Sequence, residues 1–426
     1  MFKTLSNAWR IKEIRSKMIF TLLMIVVYRL GNIIPIPFMD KNVVNKLMSS
    51  NAGGLVNLLD LLAGGSLKQM SVFALSIYPY ITASIVVQLL TIAFPRLGEI
   101  ARDGEMGRKK VAKYTKIGAV ILGIFEAMAI ANGLFAKAIV AKGYIQSALI
   151  ITSLLAGSMF LVWLGEIITE KGIGNGISII IFLGIVSNLP TQIGTFIYGI
   201  MTGTVGILTI IGIVLAAVLI VVIVVLINEG ERKITVQYAK KVVGRKMYGG
   251  QATHIPVKVN MSGVMPVIFA SVFMLIPGVI VNALPSDLQL KTTLSYLTVE
   301  GSVGVYVYSI MNFILIILFG FFYSSIQFNT VEYAKNLQQY GGFIPGIRPG
   351  KPTGEYLQKI SNRITFSGSI ILALVASAPI VLSRLSGMKI NFGGTSVIII
   401  VGVVIETMKQ IESMMLMRHY KGFLNK

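Results

Sequence analysis

The chain has 426 residues, of which 54% are hydrophobic and only 13% are charged, and its mean hydropathy is +0.78. A soluble domain of this size needs about 25% charged residues to keep its surface wetted, so the composition excludes a soluble protein. Because the chain has no Cys, disulfides, thiolate metal sites and redox chemistry are excluded. The two histidines, His254 and His419, lie outside the apolar runs. The apolar runs thus lack the cysteine and histidine side chains that intramembrane enzymes commonly use, so no enzymatic activity and no cofactor are expected.

Apolar runs divide the chain into candidate membrane spans. They lie near residues 18–34, 70–93, 117–134, 147–168, 174–190, 205–227, 261–283, 304–325, 365–385 and 395–412. The fifth connection, around Thr191–Val205, carries no charge and divides the spans five and five, which is typical of membrane proteins with two related halves. We therefore predict an all-α membrane protein with ten transmembrane helices, an N-terminal half of residues 1–190 and a C-terminal half of residues 191–426.

The basic residues indicate the orientation of the spans. The amino-terminal stretch Met1–Lys17 is basic and precedes an apolar run, as a secretory signal does, but Ile33–Pro37 offers no small-residue cleavage site. We therefore interpret it as part of an uncleaved first span. On alternate sides of the membrane the connections carry 29 and 8 of the 38 Lys and Arg residues, and Arg29 lies inside the first span. The positive-inside rule predicts that both termini are cytoplasmic.

The connection between the first two spans contains an unusual apolar segment. Ala52–Leu67 reads AGGLVNLLDLLAGGSL, which is too short to cross the bilayer and has a glycine pair near each end. Asp60 lies within this apolar stretch. Four leucines fall on one helical face of the segment, namely Leu55, Leu58, Leu59 and Leu62. Two interpretations remain open: an interfacial helix, or a re-entrant segment surrounded by protein or by a water-filled cavity.

Three basic segments on the cytoplasmic side are longer than simple connectors. They are Pro95–Lys116, residues 228–260 and residues 326–364. In the second, the alternation in Ile234–Tyr238 and the turn near Gly244–Lys246 predict a β-hairpin. The third contains the Pro/Gly-rich loop Gly341–Gly350. Positive-inside topology alone could account for the charge, but a protruding hairpin and a shaped loop also suit docking of a large acidic partner such as RNA or an acidic protein face.

Charge is almost absent from the spans. Arg29 can extend its charged end to the interface, so it carries no functional prediction. Glu126 in the third span should face protein or water, because a buried carboxylate costs a few kcal/mol to insert. It is either a functional polar group or one neutralised by protonation or a hydrogen bond. The glycines of Gly172–Ser178 and Gly350-Lys351 lack the spacing of nucleotide-binding loops, so any nucleotide hydrolysis must occur on another chain.

Seven short segments, in order along the chain, carry a resemblance to a known family. They are Ile33–Pro37, Phe73–Ser84, Trp163–Glu166, Gly172–Ser178, Pro256–Met261, Phe343–Gly350 and Phe392–Ser396. Together they extend from the first span to the last and resemble the SecY family, the channel subunits of the bacterial Sec protein translocase. The resemblance implies a passive polypeptide channel in the bacterial cytoplasmic (inner) membrane, with an hourglass pore between two five-span halves hinged on the outer side.

The resemblance also assigns the parts of the pore. Ala52–Leu67 would be the plug, and a ring of apolar side chains would form the constriction. By motif position the ring residues are Ile77, Ile81, Ile177, Ile181, Ile268 and Ile399. The first two and the next two are each spaced four residues apart, so each pair would point the same way from one helix. Isoleucines make no hydrogen bonds, and an apolar constriction tends to dewet, which helps to exclude ions.

The resemblance further implies a lateral gate and docking sites. The gate would lie where spans two and three meet spans seven and eight, with Thr82 and Glu126 at polar gate positions and no polar partner assigned on span seven. Arg245 and Lys246 of the hairpin and Arg348 of the Pro/Gly loop would dock the ribosome or the SecA ATPase. SecE and SecG are the expected small membrane partners, and the client is a polypeptide whose signal sequence enters the lipid bilayer.

Two other classes of protein can be weighed against the channel. A secondary transporter for a small solute also suits ten spans in two halves. Such transporters usually carry binding or proton-relay groups near the midplane, where this chain offers only Glu126. An intramembrane protease is excluded, because the spans contain no Ser/His, paired Asp or metal-ligand arrangement. A protein-conducting channel is the favoured hypothesis.

Overall fold

The computed structural model is largely helical and describes residues 2–50, 60, 63–140, 143–202, 207–238, 241–243, 246–248, 252–283, 302–385 and 394–424. In chain order the helices are α1 (Phe2–Arg10), α2 (Lys12–Gly31), α3 (Lys41–Ser50), α4 (Tyr78–Ala93), α5 (Pro95–Arg102), α6 (Gly104–Met128), α7 (Tyr144–Lys171), α8 (Gly176–Ser187), α9 (Leu189–Met201), α10 (Ile207–Glu229), α11 (Met265–Ala283), α12 (Ser302–Gln327), α13 (Thr330–Gln339), α14 (Lys351–Leu385) and α15 (Gly394–Leu424). The strands are β1 (Glu231–Tyr238), β2 (Lys241–Val243), β3 (Lys246–Tyr248), β4 (Ala252–Lys258) and β5 (Gly342–Phe343). Each of the ten predicted apolar runs overlaps a helix.

The helices have the length and composition of membrane spans. Within the described residues, five helices are long and apolar enough to cross a membrane, and six if the bent pair α4 and α5 forms one span. The pair bends by 112°, because Phe94 is extended and Pro95 begins the next helix. Large apolar side chains such as Ile117, Leu149 and Leu318 are exposed on these helices, as expected for residues that contact lipid.

The chain forms two compact units. The first contains residues 1–206, 272–308 and 403–426, and the second contains residues 207–271 and 309–402. In the first unit α4 packs against α6, and α7 packs against both α6 and α8. Glycines allow these close approaches: a Cβ at Gly176 would overlap the carbonyl oxygen of Gly165. Such small-residue contacts are typical of helix packing in membranes.

The second predicted span begins later than expected. The apolar run predicts a helix from residue 70, but residues 63–77 form turns and α4 begins at Tyr78. The backbone instead pairs with the segment after α2: the amide of Ile36 donates to the carbonyl of Met70 at 2.8 Å, and the amide of Val72 donates to the carbonyl of Ile34 at 3.0 Å. The prediction was wrong here because hydrophobicity alone does not separate a helix from buried turns.

Several predicted connections are helical. Helix α6 begins at Gly104 and helix α14 at Lys351, so much of two basic segments extends the adjacent spans. Helix α9 occupies most of the uncharged fifth connection. Charge does not break these helices, because oppositely charged side chains one turn apart are compatible with helix. Lys109, for example, pairs with Glu105 at 2.8 Å.

The second unit carries the predicted β-hairpin. Strand β1 pairs antiparallel with β4, with Ile234 opposite Ile255, and β2 pairs with β3. The hairpin is thus confirmed, and its tip at residues 244–245 lies outside the described residues. The Pro/Gly-rich segment adds β5, which pairs with the end of β1 and makes the sheet order β4-β1-β5. We call the described parts of residues 231–258 and 328–364 the loop domain.

One apolar core joins the two long basic segments in the loop domain. Its buried members are Ile234, Val236, Val257, Phe328, Leu337, Ile344, Leu357 and Ile360. The alternation of β1 directs one face of the strand onto this core, as the period of two requires. The predicted hairpin and the predicted shaped loop are therefore one folded body, which the sequence pattern did not indicate.

Candidate functional site

The segment after α3 packs directly on helix α8. Gly64 has φ +70°, and a Cβ at this position would lie 2.7 Å from the Cα of Gly184. The hydroxyl of Ser187 donates to the carbonyl of Gly64 at 2.8 Å. Residues 177, 181, 184 and 188 recur along one face of a helix, so the segment rests on the face of α8 that also carries Ile177 and Ile181.

Asp60 is the described member of the five predicted plug residues. Leu55, Leu58, Leu59 and Leu62 lie outside the described residues. Asp60 is buried, its Oδ1 accepts the backbone amide of Lys68 at 2.9 Å, and its own carbonyl accepts the amide of Gly65 at 2.9 Å. Burial raises the pKa of this carboxyl above its ordinary value, and the hydrogen bond from Lys68 opposes that rise. The side chain therefore fixes the turn that presents Gly64 to α8.

The six isoleucines of the predicted ring come from four helical segments. Ile77, Ile181, Ile268 and Ile399 are buried, and Ile81 and Ile177 are half-buried. Ile177 and Ile181 lie in α8 as predicted. Ile77 is the N-cap of α4, and its carbonyl accepts the amide of Ile81 at 3.1 Å, so the two residues span the first turn of the helix; that they point the same way stays a prediction. Four of the six belong to the first unit, while Ile268 and Ile399 belong to the second; their common axis stays a prediction.

Thr82 and Glu126, the two predicted gate residues, lie together between α4 and α6. The hydroxyl of Thr82 donates to Oε1 of Glu126 at 3.4 Å and to the carbonyl of Tyr78 at 2.8 Å. Oε2 of Glu126 is buried without a hydrogen-bond partner among the described residues. Small residues bring the helices close enough for this contact, since a Cβ at Gly118 would touch Ala83. The helix bearing Glu126 continues into a π-helical turn at Ala129–Leu134.

Tyr78 is a polar contact at this site that the sequence reasoning missed. Its hydroxyl donates to the backbone carbonyl of Val272 on α11 at 3.3 Å. Val272 lies within the stretch of span seven where no polar side chain could be assigned. The acceptor is a backbone carbonyl, so no residue type signals it. The sequence signal that could have indicated this contact is Tyr78 itself, because a buried tyrosine hydroxyl usually makes a hydrogen bond.

The predicted docking residues belong to the loop domain. Arg348 is exposed, and its carbonyl accepts the hydroxyl of Thr353 at 2.8 Å, which ties the loop to the start of α14. Lys246 begins β3, opposite Val243, whereas Arg245 lies outside the described residues. The loop is held from its other end by β5. Arg348 is thus displayed on a loop anchored at both sides.

Solved structures share this fold. A protein-conducting channel superimposes with a TM-score of 0.68 at 20% identity, covering 94% of this chain and 92% of that one. Sec61 in a canine ribosome–channel complex from the endoplasmic reticulum gives a TM-score of 0.62 at 18% identity, with the same coverage. The chain therefore shares the fold of these helical membrane proteins.

Sequence comparison narrows the class to one family. The SecY family model matches residues 71–408. The protein translocase subunit SecY of Halalkalibacterium halodurans is 42% identical over 437 residues, covering the whole of both chains. The corresponding subunit of Thermotoga maritima is 39% identical over all of this chain and 98% of its own. The chain belongs to the SecY family; it is a membrane channel subunit and not an enzyme.

Proposed function

We propose that this chain is the central subunit of a protein-conducting channel. It carries unfolded secretory polypeptides across the bacterial cytoplasmic membrane and releases membrane segments sideways into lipid. The observation that carries the proposal is the seating of Gly64 on the face of α8 that bears Ile177 and Ile181. A plug has to rest beside the constriction that it closes, and the contact of Gly64 with α8 supports this assignment.

The six isoleucines suit the constriction of such a pore. A channel for arbitrary unfolded chains must not hold any particular side chain, or transport would stall there. Isoleucine offers non-directional contact without hydrogen bonds, and a narrow apolar ring also dewets when no polypeptide fills it. We therefore assign the ring to Ile77, Ile81, Ile177, Ile181, Ile268 and Ile399. The two five-span halves, residues 1–190 and 191–426, belong to the same proposal.

Thr82, Glu126 and Tyr78 supply the polar contacts of the proposed lateral gate. The first two join α4 to α6, and Tyr78 joins α4 to α11 through the carbonyl of Val272. One neutral hydrogen bond contributes about 1 kcal/mol. A latch of this strength holds the gate at rest, yet insertion of an apolar signal can overcome it, because each leucine-like residue gains a few tenths of a kcal/mol in lipid.

The loop domain is the proposed docking surface for the machine that moves the polypeptide. Arg245, Lys246 and Arg348 would contact the SecA ATPase or the ribosome, because the chain has no nucleotide-binding loop of its own. The likeness to Sec61 in a ribosome complex supports the ribosome as a partner. SecE and SecG complete the proposed complex, with both termini of this chain in the cytoplasm, as the distribution of Lys and Arg predicts.

Site-specific photocrosslinking tests the proposal. A photoreactive amino acid is placed at Ile81 or Ile268, and a secretory polypeptide is stalled during transport. We expect crosslinks to the polypeptide at both positions, and only while the polypeptide is engaged. The matched control is Leu215, which is exposed on α10 and should crosslink to lipid. Equal crosslinking at Leu215 and at the two isoleucines would contradict the assignment of the ring.

A further inference from the structure

The loop domain contains a small basic cavity that the channel mechanism does not use. It has a volume of about 230 Å³. Three cationic side chains, one tyrosine and two isoleucines line it: Arg232, Tyr356, Lys359, Ile360, Arg363 and Ile364. All six belong to the second unit, and none is among the predicted docking residues. A cavity that combines concentrated positive charge with an apolar wall needs a ligand with both characters.

Regular structure aligns these side chains. Tyr356, Lys359 and Arg363, with the two isoleucines, recur at intervals of three and four residues and therefore share one face of α14. Arg232 approaches from β1, where it lies on the same side of the strand as the buried Ile234, because alternate residues share a face. Strand alternation would favour an apolar residue at position 232. An arginine there places a cation at the margin of the core.

No ion pair among the described residues neutralises the positive charge of the cavity. Across the part of the chain that the structure describes, no carboxylate lies within 4.0 Å of the charged groups of Arg232, Lys359 or Arg363. The nearby carboxylate of Glu231 pairs instead with Lys233, at 3.4 Å. Three like charges around one cavity repel one another, so an anion bound there would lower the electrostatic energy.

The cavity lies where two apolar helices leave the predicted bilayer. Helix α10 ends at Glu229, three residues before Arg232, and α14 packs against α10. Arg363 directly precedes the apolar part of α14, whose predicted span begins at residue 365. This is the level of lipid head groups on the predicted cytoplasmic side, where the membrane surface is rich in anionic lipid.

We propose that this cavity binds the phosphate head group of an anionic phospholipid. The three cations would hold the phosphate, and the hydroxyl of Tyr356 is available as a further donor. Ile360 and Ile364 would contact the start of an acyl chain. An RNA phosphate would match the charge, but it would make no contact with the apolar part of the lining. The lipid therefore fits both halves of the lining.

Lipid titration of the intact membrane complex tests this proposal. The complex is held in zwitterionic phosphatidylcholine nanodiscs, phosphatidylglycerol is added, and bound lipids are counted by native mass spectrometry. We expect R232Q/R363Q to weaken phosphatidylglycerol binding by roughly tenfold or more, since each cation near a membrane surface contributes about a fivefold effect. The matched control K335Q/K351Q removes the same charge from exposed positions outside the cavity and should change binding less than about twofold. The charge-conserving variant R232K/R363K changes the same two positions and should bind nearly as the parent does, which separates loss of charge from loss of fold.

Three results would overturn the proposal. If the cavity variant and the control weakened phosphatidylglycerol binding equally, the loss would reflect the net charge of the protein and not the cavity. Equal binding of phosphatidylcholine, or displacement of the lipid by millimolar inorganic phosphate, would remove selectivity for the anionic lipid. Loss of ribosome co-sedimentation in R232Q/R363Q with phosphatidylglycerol binding unchanged would assign the cavity to RNA phosphate instead.

Discussion

Gly64 and Gly184 pack with no room for a side chain between them, since a Cβ on Gly64 would lie 2.7 Å from the Cα of Gly184. The contact joins the segment before α4 to helix α8. A hydrogen bond from Ser187 to the Gly64 carbonyl holds the same approach. Docking of the proposed plug therefore depends on two glycines and one hydroxyl, and it can be altered without touching the isoleucines.

Replacement of Gly64 by Ala is expected to loosen the plug. The new methyl group meets backbone and the residue has φ +70°, so the docked form loses about 2–3 kcal/mol. We expect a several-fold rise in resting ion conductance through reconstituted channels. Gly104→Ala is the control, because Gly104 also has positive φ but has nothing within 4 Å of an added Cβ. Equal leak in the two variants would attribute the effect to backbone strain rather than to docking.

Replacement of two ring isoleucines by serine should make the resting membrane leak. Ile81 and Ile177 are only half-buried, so Ile81→Ser with Ile177→Ser wets the constriction with a limited loss of core packing. The measurement is single-channel conductance without a translocating polypeptide. Leu215→Ser with Leu219→Ser changes two exposed positions on α10 and should leave conductance unchanged. A tight seal in the isoleucine variant would remove these residues from the constriction.

Tyr78→Phe should ease opening of the lateral gate. The variant keeps the ring and removes only the hydroxyl that donates to Val272, which costs the closed state about 1 kcal/mol and shifts the closed-to-open ratio roughly fivefold. We expect increased transport of substrates whose signal sequences are defective. Tyr114→Phe, at an exposed position, is the control. No gain with defective signals would show that this hydrogen bond does not hold the gate.

Arg348→Glu should impair partner-driven translocation while the spans stay folded. The side chain is exposed and the loop is held by its backbone. Reversal of the charge should therefore weaken partner binding without disturbing the packing of the loop-domain core. ATP-driven or ribosome-coupled transport is measured beside the thermal unfolding midpoint. Lys335→Glu makes the same change at another exposed position of the loop domain and should be milder. Unimpaired transport by Arg348→Glu would exclude this arginine from docking.

Asp60 should make plug docking depend on pH. Burial raises its pKa in the docked state above the ordinary value of 3.8, so the protonated acid is favoured when the segment is docked. This stabilisation of the docked segment is complete at pH values below the ordinary pKa of Asp60, and it is lost as the pH rises through the raised pKa of the docked state. The resting leak should therefore increase with pH between these two pKa values. Asp60→Asn keeps an acceptor for the Lys68 amide and should abolish the dependence. A pH response that persists in Asp60→Asn would locate the titrating group elsewhere.

The sequence determined which parts of the chain are helices in a membrane and where the hairpin lies. Ten apolar runs predict helices because lipid leaves the backbone no other way to satisfy its hydrogen bonds locally, and the alternation at Ile234–Tyr238 predicts a strand because one face is buried. The start of α4 was predicted too early, because hydrophobicity indicates which residues are buried and not which hydrogen bonds their backbone makes.

Tertiary structure alone decided the contacts between distant segments. The donation from Tyr78 to Val272 uses a backbone carbonyl, which every residue possesses, so no sequence pattern marks it. The addition of β5 to β1 and the approach of Gly64 to Gly184 likewise join segments separated by about a hundred residues. Helical and strand periodicities describe neighbours within one element, whereas these contacts depend on how folded elements fit against one another.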